Sequence, residues 1–94
     1  MRYVYDKDKS QWVEINGAAQ LTMRELNRLY TGEQREMFAA AAGVVAAAHL
    51  VDRHGAEVNA ADPAEIDRLT LGQWDWLRQS IIASARDEAL DPEA

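Results

Sequence analysis

Two histidines, His49 and His54, have the widest chemical range of any side chains here, and their spacing limits what they can do together. Read on a helix, residues five apart point to different faces, whereas a zinc pair on one helix needs i and i+4. No cysteine and no well-placed carboxylate completes a ligand set. His49 is therefore expected as a packed residue near a helix end, and His54 as a positive partner of a C-terminal helix dipole. Ser10, Ser80 and Ser84 stand in no nucleophile motif. The acidic pairs Glu33/Glu36 and Asp87/Glu88 fit exposed helix faces, while acid–base pairs need a cleft with contrasting environments. Gly17 and Gly43 are isolated, and no GxxxxGK pattern follows a strand. These residues predict no catalytic group, no metal and no cofactor.

Composition sets the frame for these residues. Ninety-four residues bound a single domain over 1–94 with a modest core. With no cysteine, packing must stabilise it without disulfides. The net charge of -6 lies entirely beyond residue 54, where nine acidic side chains face only Arg68, Arg78 and Arg86. A negative surface repels phosphate backbones and anionic lipid, so neither nucleic acid nor a membrane is expected as partner. The same charge reads as solubility or as a docking surface for a basic protein. The longest uncharged stretch, Met37 to Val51, is fifteen residues and interrupted by His49, too short for a membrane span. With no apolar signal region, the chain reads as cytoplasmic.

The order of elements follows from periodicity. Tyr3-Val4-Tyr5 and Gln11-Trp12-Val13-Glu14-Ile15 alternate as strands, and the polar run between them predicts a β-hairpin over 2–16. Val4, Val13 and Ile15 are expected to face the helices, leaving Tyr3, Tyr5 and Trp12 as a cross-strand aromatic cluster. From 22 to 90 the pattern turns helical. Thr22 with Glu25 and Thr31 with Gln34 read as capping boxes. Asp62-Pro63 with Glu65 gives a third start, and Thr70 with Gln73 a fourth. The first helix, 23–30, turns Met23, Leu26, Leu29 and Tyr30 inward. The second runs to Arg53-His54 and stops at Gly55. The last extends to about Leu90, before a frayed tail at 91–94.

Met37 to Ala48 has no polar face, which predicts a buried helix at the centre of a mainly α, four-helix bundle. Ala39, Gly43 and Ala47 would form a ridge of small residues that packs within the chain or joins copies in a homo-oligomer. In the final helix Leu71, Trp74, Leu77, Ile81 and Ala85 form the core stripe, while Trp76 and Ile82 lie off it. Tryptophan is enriched at interface hot spots. Trp76, Ile82, Trp12, Tyr3 and Tyr5 are thus the candidate partner-binding residues. Packing of Trp76 against the hairpin aromatics is the competing reading.

Trp12-Val13-Glu14-Ile15 is followed by Leu21-Thr22-Met23-Arg24-Glu25-Leu26, an Ala-rich middle, and Leu69-Thr70-Leu71-Gly72-Gln73-Trp74-Asp75. This succession resembles the small tail assembly chaperones of long-tailed phages, especially those of actinobacterial hosts. The resemblance implies a non-enzymatic chaperone in the host cytoplasm. It would bind the tape-measure protein, keep it soluble and help recruit tail-tube protein subunits. Two other functions are weighed against it. One is a structural virion component, a connector or decoration protein joined through the hairpin's edges. The other is an acidic inhibitor that mimics nucleic acid.

Overall fold

The computed structural model describes residues 1–90, and the tail expected at 91–94 lies outside the described residues. Strands β1 (Arg2–Val4), β2 (Trp12–Ile15), β3 (Val45–Val51) and β4 (Glu57–Val58) form one antiparallel sheet in sequence order. Helices α1 (Met23–Thr31), α2 (Gln34–Ala42), α3 (Pro63–Ile66) and α4 (Leu71–Leu90) accompany it, with a 3-10 turn at Ala18–Gln20. The protein is mixed α and β, which corrects the expectation of a mainly α bundle around an Ala-rich helix.

The correction turns on one segment. The expected central helix, opened at Thr31 with Gln34 and running to Arg53-His54, ends at Ala42 with Gly43 as its cap, and the chain continues as β3. Two causes act together. An unbroken apolar run has no period, so it does not distinguish a buried helix from a buried strand. The hairpin also leaves one edge of β2 without backbone partners, and β3 supplies them: Trp12 pairs with His49, Val13 with Ala48 and Glu14 with Ala47. Val45 and Leu50 become buried at the two ends of the strand. Tertiary pairing here outweighs the helix preference of Ala46, Ala47 and Ala48. Pairing then slips to Ile15–Val45, leaving Ala46 as a bulge. Ala39, Gly43 and Ala47 fall on a helix, a helix end and a strand, so the small-residue ridge does not form.

Three of the four expected helix starts act as read. The Glu25 amide donates to Thr22 Oγ1 and the Thr22 amide to Glu25 Oε1, closing the box that starts α1. The Gln73 amide donates to Thr70 Oγ1 and the Thr70 amide to Gln73 Oε1, doing the same for α4. Asp62 accepts from the Ala64 amide with Pro63 at the first position, although α3 lasts only four residues. Thr31 caps nothing. Its hydroxyl bonds back to the Asn27 carbonyl inside α1, and Glu33 precedes α2 with no side-chain cap.

Helix α4 lies across the inner face of the sheet, where Val13, Ile15 and Leu50 meet Trp74, Leu77 and Ile81 in one core cluster. Phe38 of α2 packs edge-on against Trp74, with centroids 5.1 Å apart. Leu71, assigned to the core stripe by its spacing, is instead 78% exposed at the first residue of α4.

Candidate functional site

The five residues singled out by sequence do not converge. Arg2 pairs with Glu14, Tyr3 with Val13 and Val4 with Trp12. Cross-strand partners share a face, so Tyr3 lies with Val13 on the inner face, while Trp12 lies outside with Val4. The expected cluster of Tyr3, Tyr5 and Trp12 is therefore split, and Val4 is exposed rather than turned to the helices. Trp12 instead carries the Arg2 guanidinium 3.9 Å from its ring centroid. Tyr5 is buried and its ring stacks obliquely on Trp76, centroids 5.1 Å apart, which half-buries that tryptophan against the hairpin. Burial raises the Tyr3 phenol pKa, and the charges of Asp87 and Glu88 add to the effect.

The histidines also move from their expected places. His49 sits exposed on β3, its Nδ1 3.9 Å from Glu57 Oε1, and not at a helix end. His54 lies in the β3–β4 turn and is no helix-dipole partner; its Nε2 accepts from Arg53 Nε. Among the described residues no group of three His, Cys, Asp or Glu side chains could hold a metal ion, and no helix is long and apolar enough to cross a membrane.

Of the sequence candidates, Tyr5 borders a small polar depression with Gln11 and Gln73, and Ile82 lies at a larger apolar one. It forms the floor, with Leu26, of a groove of about 600 Å³ rimmed by Met23, Arg24, Asn27 and Tyr30. The groove continues into a depression of about 340 Å³ that shares Met23, Leu26 and Ile82 and ends at Ala18, Leu21, Ala85, Arg86 and Ala89. Met23 is 80% exposed and Tyr30 44%, although helical spacing assigned both to the core. Leu29 alone of that predicted inward set is fully buried. The expectation that both face inward therefore fails: no element of the described chain covers Met23, and Tyr30 is covered on one side only, by Arg78 of α4.

Three devices position the groove. The capping box fixes the start of α1 beside Met23. Arg78 of α4 reaches the other end of α1, where Nη1 donates to the Leu29 carbonyl at 3.4 Å and the guanidinium lies 4.3 Å from the Tyr30 ring centroid. That carbonyl is among the last four of α1, which lack intrahelical donors, so a cation there also suits the dipole. Asp75 orients Arg78 through contacts of 2.8 and 3.1 Å. Finally, Glu88 accepts from the Ala19 amide at 3.2 Å and from Ser84, tying the 3-10 turn to α4.

A second depression, of about 490 Å³, opens beside Asp52, His54, Arg68 and Thr70. Its central cation is already engaged, because Arg68 binds Asp52 and Glu65 at 2.9 Å each. Arg68, aided by the Ala56 and His54 amides, lowers the Asp52 pKa to about 2. This arrangement closes the β3–β4 turn.

No family model, curated protein or solved structure matches the chain.

Proposed function

We propose that this chain is a non-enzymatic assembly factor that holds a helical segment of another protein in the groove between α1 and α4. The observation that carries the reading is the exposure of Met23 at the rim of a trough floored by Leu26 and Ile82. Apolar troughs with polar rims are the natural seat of an amphipathic helix. Methionine adapts its shape to such a guest better than a branched side chain does.

The resemblance carried by Trp12-Val13-Glu14-Ile15 and Leu21-Thr22-Met23-Arg24-Glu25-Leu26 makes the tape-measure protein of a phage tail the proposed partner, met in the host cytoplasm. The test is co-expression with the tape-measure protein of the same genome, followed by purification through a tag on this chain. The tape-measure protein should be retained, and Met23→Asp should release it while leaving the circular dichroism unchanged. Retention by Met23→Asp would remove the groove from the proposal, and no retention by the wild-type chain would remove the partner.

A structural place in the virion by strand addition has less support. The sheet's edge strands, β1 and β4, are three and two residues long, a length that gives a neighbour little to pair with. A nucleic-acid mimic also has less support, since Glu65 and Asp75 are paired with Arg68 and Arg78 and Glu88 caps a backbone amide.

A further inference from the structure

Tyr5 is only 8% exposed, yet its hydroxyl makes no hydrogen bond among the described residues. No fully buried side-chain polar atom there lacks a partner, so the part of Tyr5 still open includes this hydroxyl. It opens on a depression of about 200 Å³ that Gln11, Thr70, Gln73, Asp52 and Arg53 also line. The oxygen stands over the first turn of α4, 3.2 Å from where a Cβ on Gly72 would lie. That turn begins a helix of 20 residues and holds no acidic side chain. The Leu71 and Gly72 amides precede the first intrahelical acceptor and bond nothing among the described residues. Unsatisfied donors from the hairpin and from α4 thus gather at one place, which a glycine leaves open.

We propose that this place binds a single carboxylate, with the Tyr5 hydroxyl, the first-turn amides of α4 and the Arg53 guanidinium as donors. The depression is smaller than the roughly 300 Å³ of whole-ligand pockets, so it admits one group and not a large molecule. The charges around it nearly cancel. Asp52 is ion-paired with Arg68 at 2.9 Å, and Arg53 forms no ion pair among the described residues. Glu65, the other partner of Arg68, and Asp67 lie at α3 and do not line the depression. Recognition therefore rests on directed donors and the helix end, and not on a positive field. That balance favours a monoanion over a phosphate dianion. The site is separate from the α1–α4 groove, and its test leaves the proposed function untouched.

Acetate, acetamide and inorganic phosphate are each titrated into the isotopically labelled full chain at neutral pH and constant ionic strength. Acetate should shift the amides of Leu71 and Gly72, and acetamide, its neutral isostere, should bind about tenfold more weakly. Phosphate should bind no better than acetate. Tyr5→Phe should weaken acetate binding about tenfold and leave the unfolding midpoint unchanged, because the hydroxyl bonds nothing in the chain. Gly72→Ala favours the helix but places a methyl group against the hydroxyl, so it should weaken acetate without destabilising the fold. Equal acetate binding by the wild-type chain and both variants, shifts scattered over the surface, or no shift at the start of α4 would overturn the proposal. So would a lowered midpoint for Tyr5→Phe, which would mean that the hydroxyl is bonded within the chain. Acetamide binding as tightly as acetate, or phosphate binding more tightly, would overturn the carboxylate as the ligand.

Discussion

The side chains of Gln73 and Gln11, 62 positions apart in sequence, meet at 2.7 Å in the interior, where Gln73 Nε2 donates to Gln11 Oε1. The same nitrogen donates to the Val51 carbonyl at 2.7 Å, and Gln11 Oε1 also accepts from the Val51 amide at 3.2 Å. Two glutamines thus join the hairpin, the end of β3 and the first turn of α4. Both are buried, and no buried side-chain polar atom of the described residues lacks a partner.

Gln73→Leu keeps the volume and removes both bonds made by Gln73 Nε2. It strands the Val51 carbonyl and one lone pair of Gln11, and also opens the box with Thr70. Leaving buried groups unsatisfied costs about 1–3 kcal/mol. The midpoint of thermal unfolding should fall by roughly 4–8 °C for each kcal/mol lost. Gln11→Leu should lose a similar amount, and the double variant less than the sum, because the two act as one network. Additive losses in denaturant titrations would show that the glutamines act separately.

Arg78 holds α1 to α4 through a ring contact with Tyr30 and a bond to the Leu29 carbonyl. Arg78→Met preserves the aliphatic stem, so its effect isolates the guanidinium. Its loss should cost about 1 kcal/mol, the usual scale of such a cation–ring contact. Hydrogen exchange should speed up at the C-terminal turn of α1 while the sheet amides stay protected. Arg78→Lys should restore little, since an ammonium lacks the planar fork that stacks on Tyr30 and reaches two acceptors. Full rescue by lysine would reduce the role of Arg78 to charge alone.

The turn between β3 and β4 sets a pH dependence. Asp52 Oδ1 accepts from the His54 and Ala56 amides, and Oδ2 accepts from Arg68. These bonds favour the ionised carboxylate and bring its pKa from 3.8 to about 2. A carboxylate lowered on folding contributes stability that is fully present above 3.8 and is lost as pH falls toward 2. Asp52→Asn removes that contribution. The wild-type chain should therefore lose stability more steeply than the variant between pH 4 and pH 2, and the two curves should run parallel above pH 5. Identical acid limbs in urea titrations would mean that Asp52 is equally free to ionise in both states.

What the sequence made legible is local. Thr22 with Glu25 and Thr70 with Gln73 satisfy one another within a single turn, so neighbours three apart suffice to place those helix starts. Ile82 was readable as off the core stripe and does line the groove. The inward or outward choice for Tyr3 and Val4 depends on the register of β1 against β2, which no short-range signal specifies. Met23 has core spacing, and its exposure comes from what fails to lie over it, a property of the whole fold. The change from helix to strand at Gly43 depends on a partner thirty positions earlier, which no local propensity reports.

That change can be tested at single alanines. Ala47 faces Glu14 across the sheet, and Ala39 is an exposed residue within α2. A β-branched side chain suits a pleated surface but loses rotamer freedom against the preceding turn of a helix. Ala47→Val should therefore be neutral or stabilising, within the roughly 1 kcal/mol span of strand preferences. Ala39→Val should cost about 0.5 kcal/mol, the difference between these residues in a helix interior. Opposite signs for the same substitution eight positions apart place a helix and a strand on either side of Gly43. Equal losses at both positions in paired denaturant titrations would return the segment to one continuous helix, and with it the unpaired edge of β2.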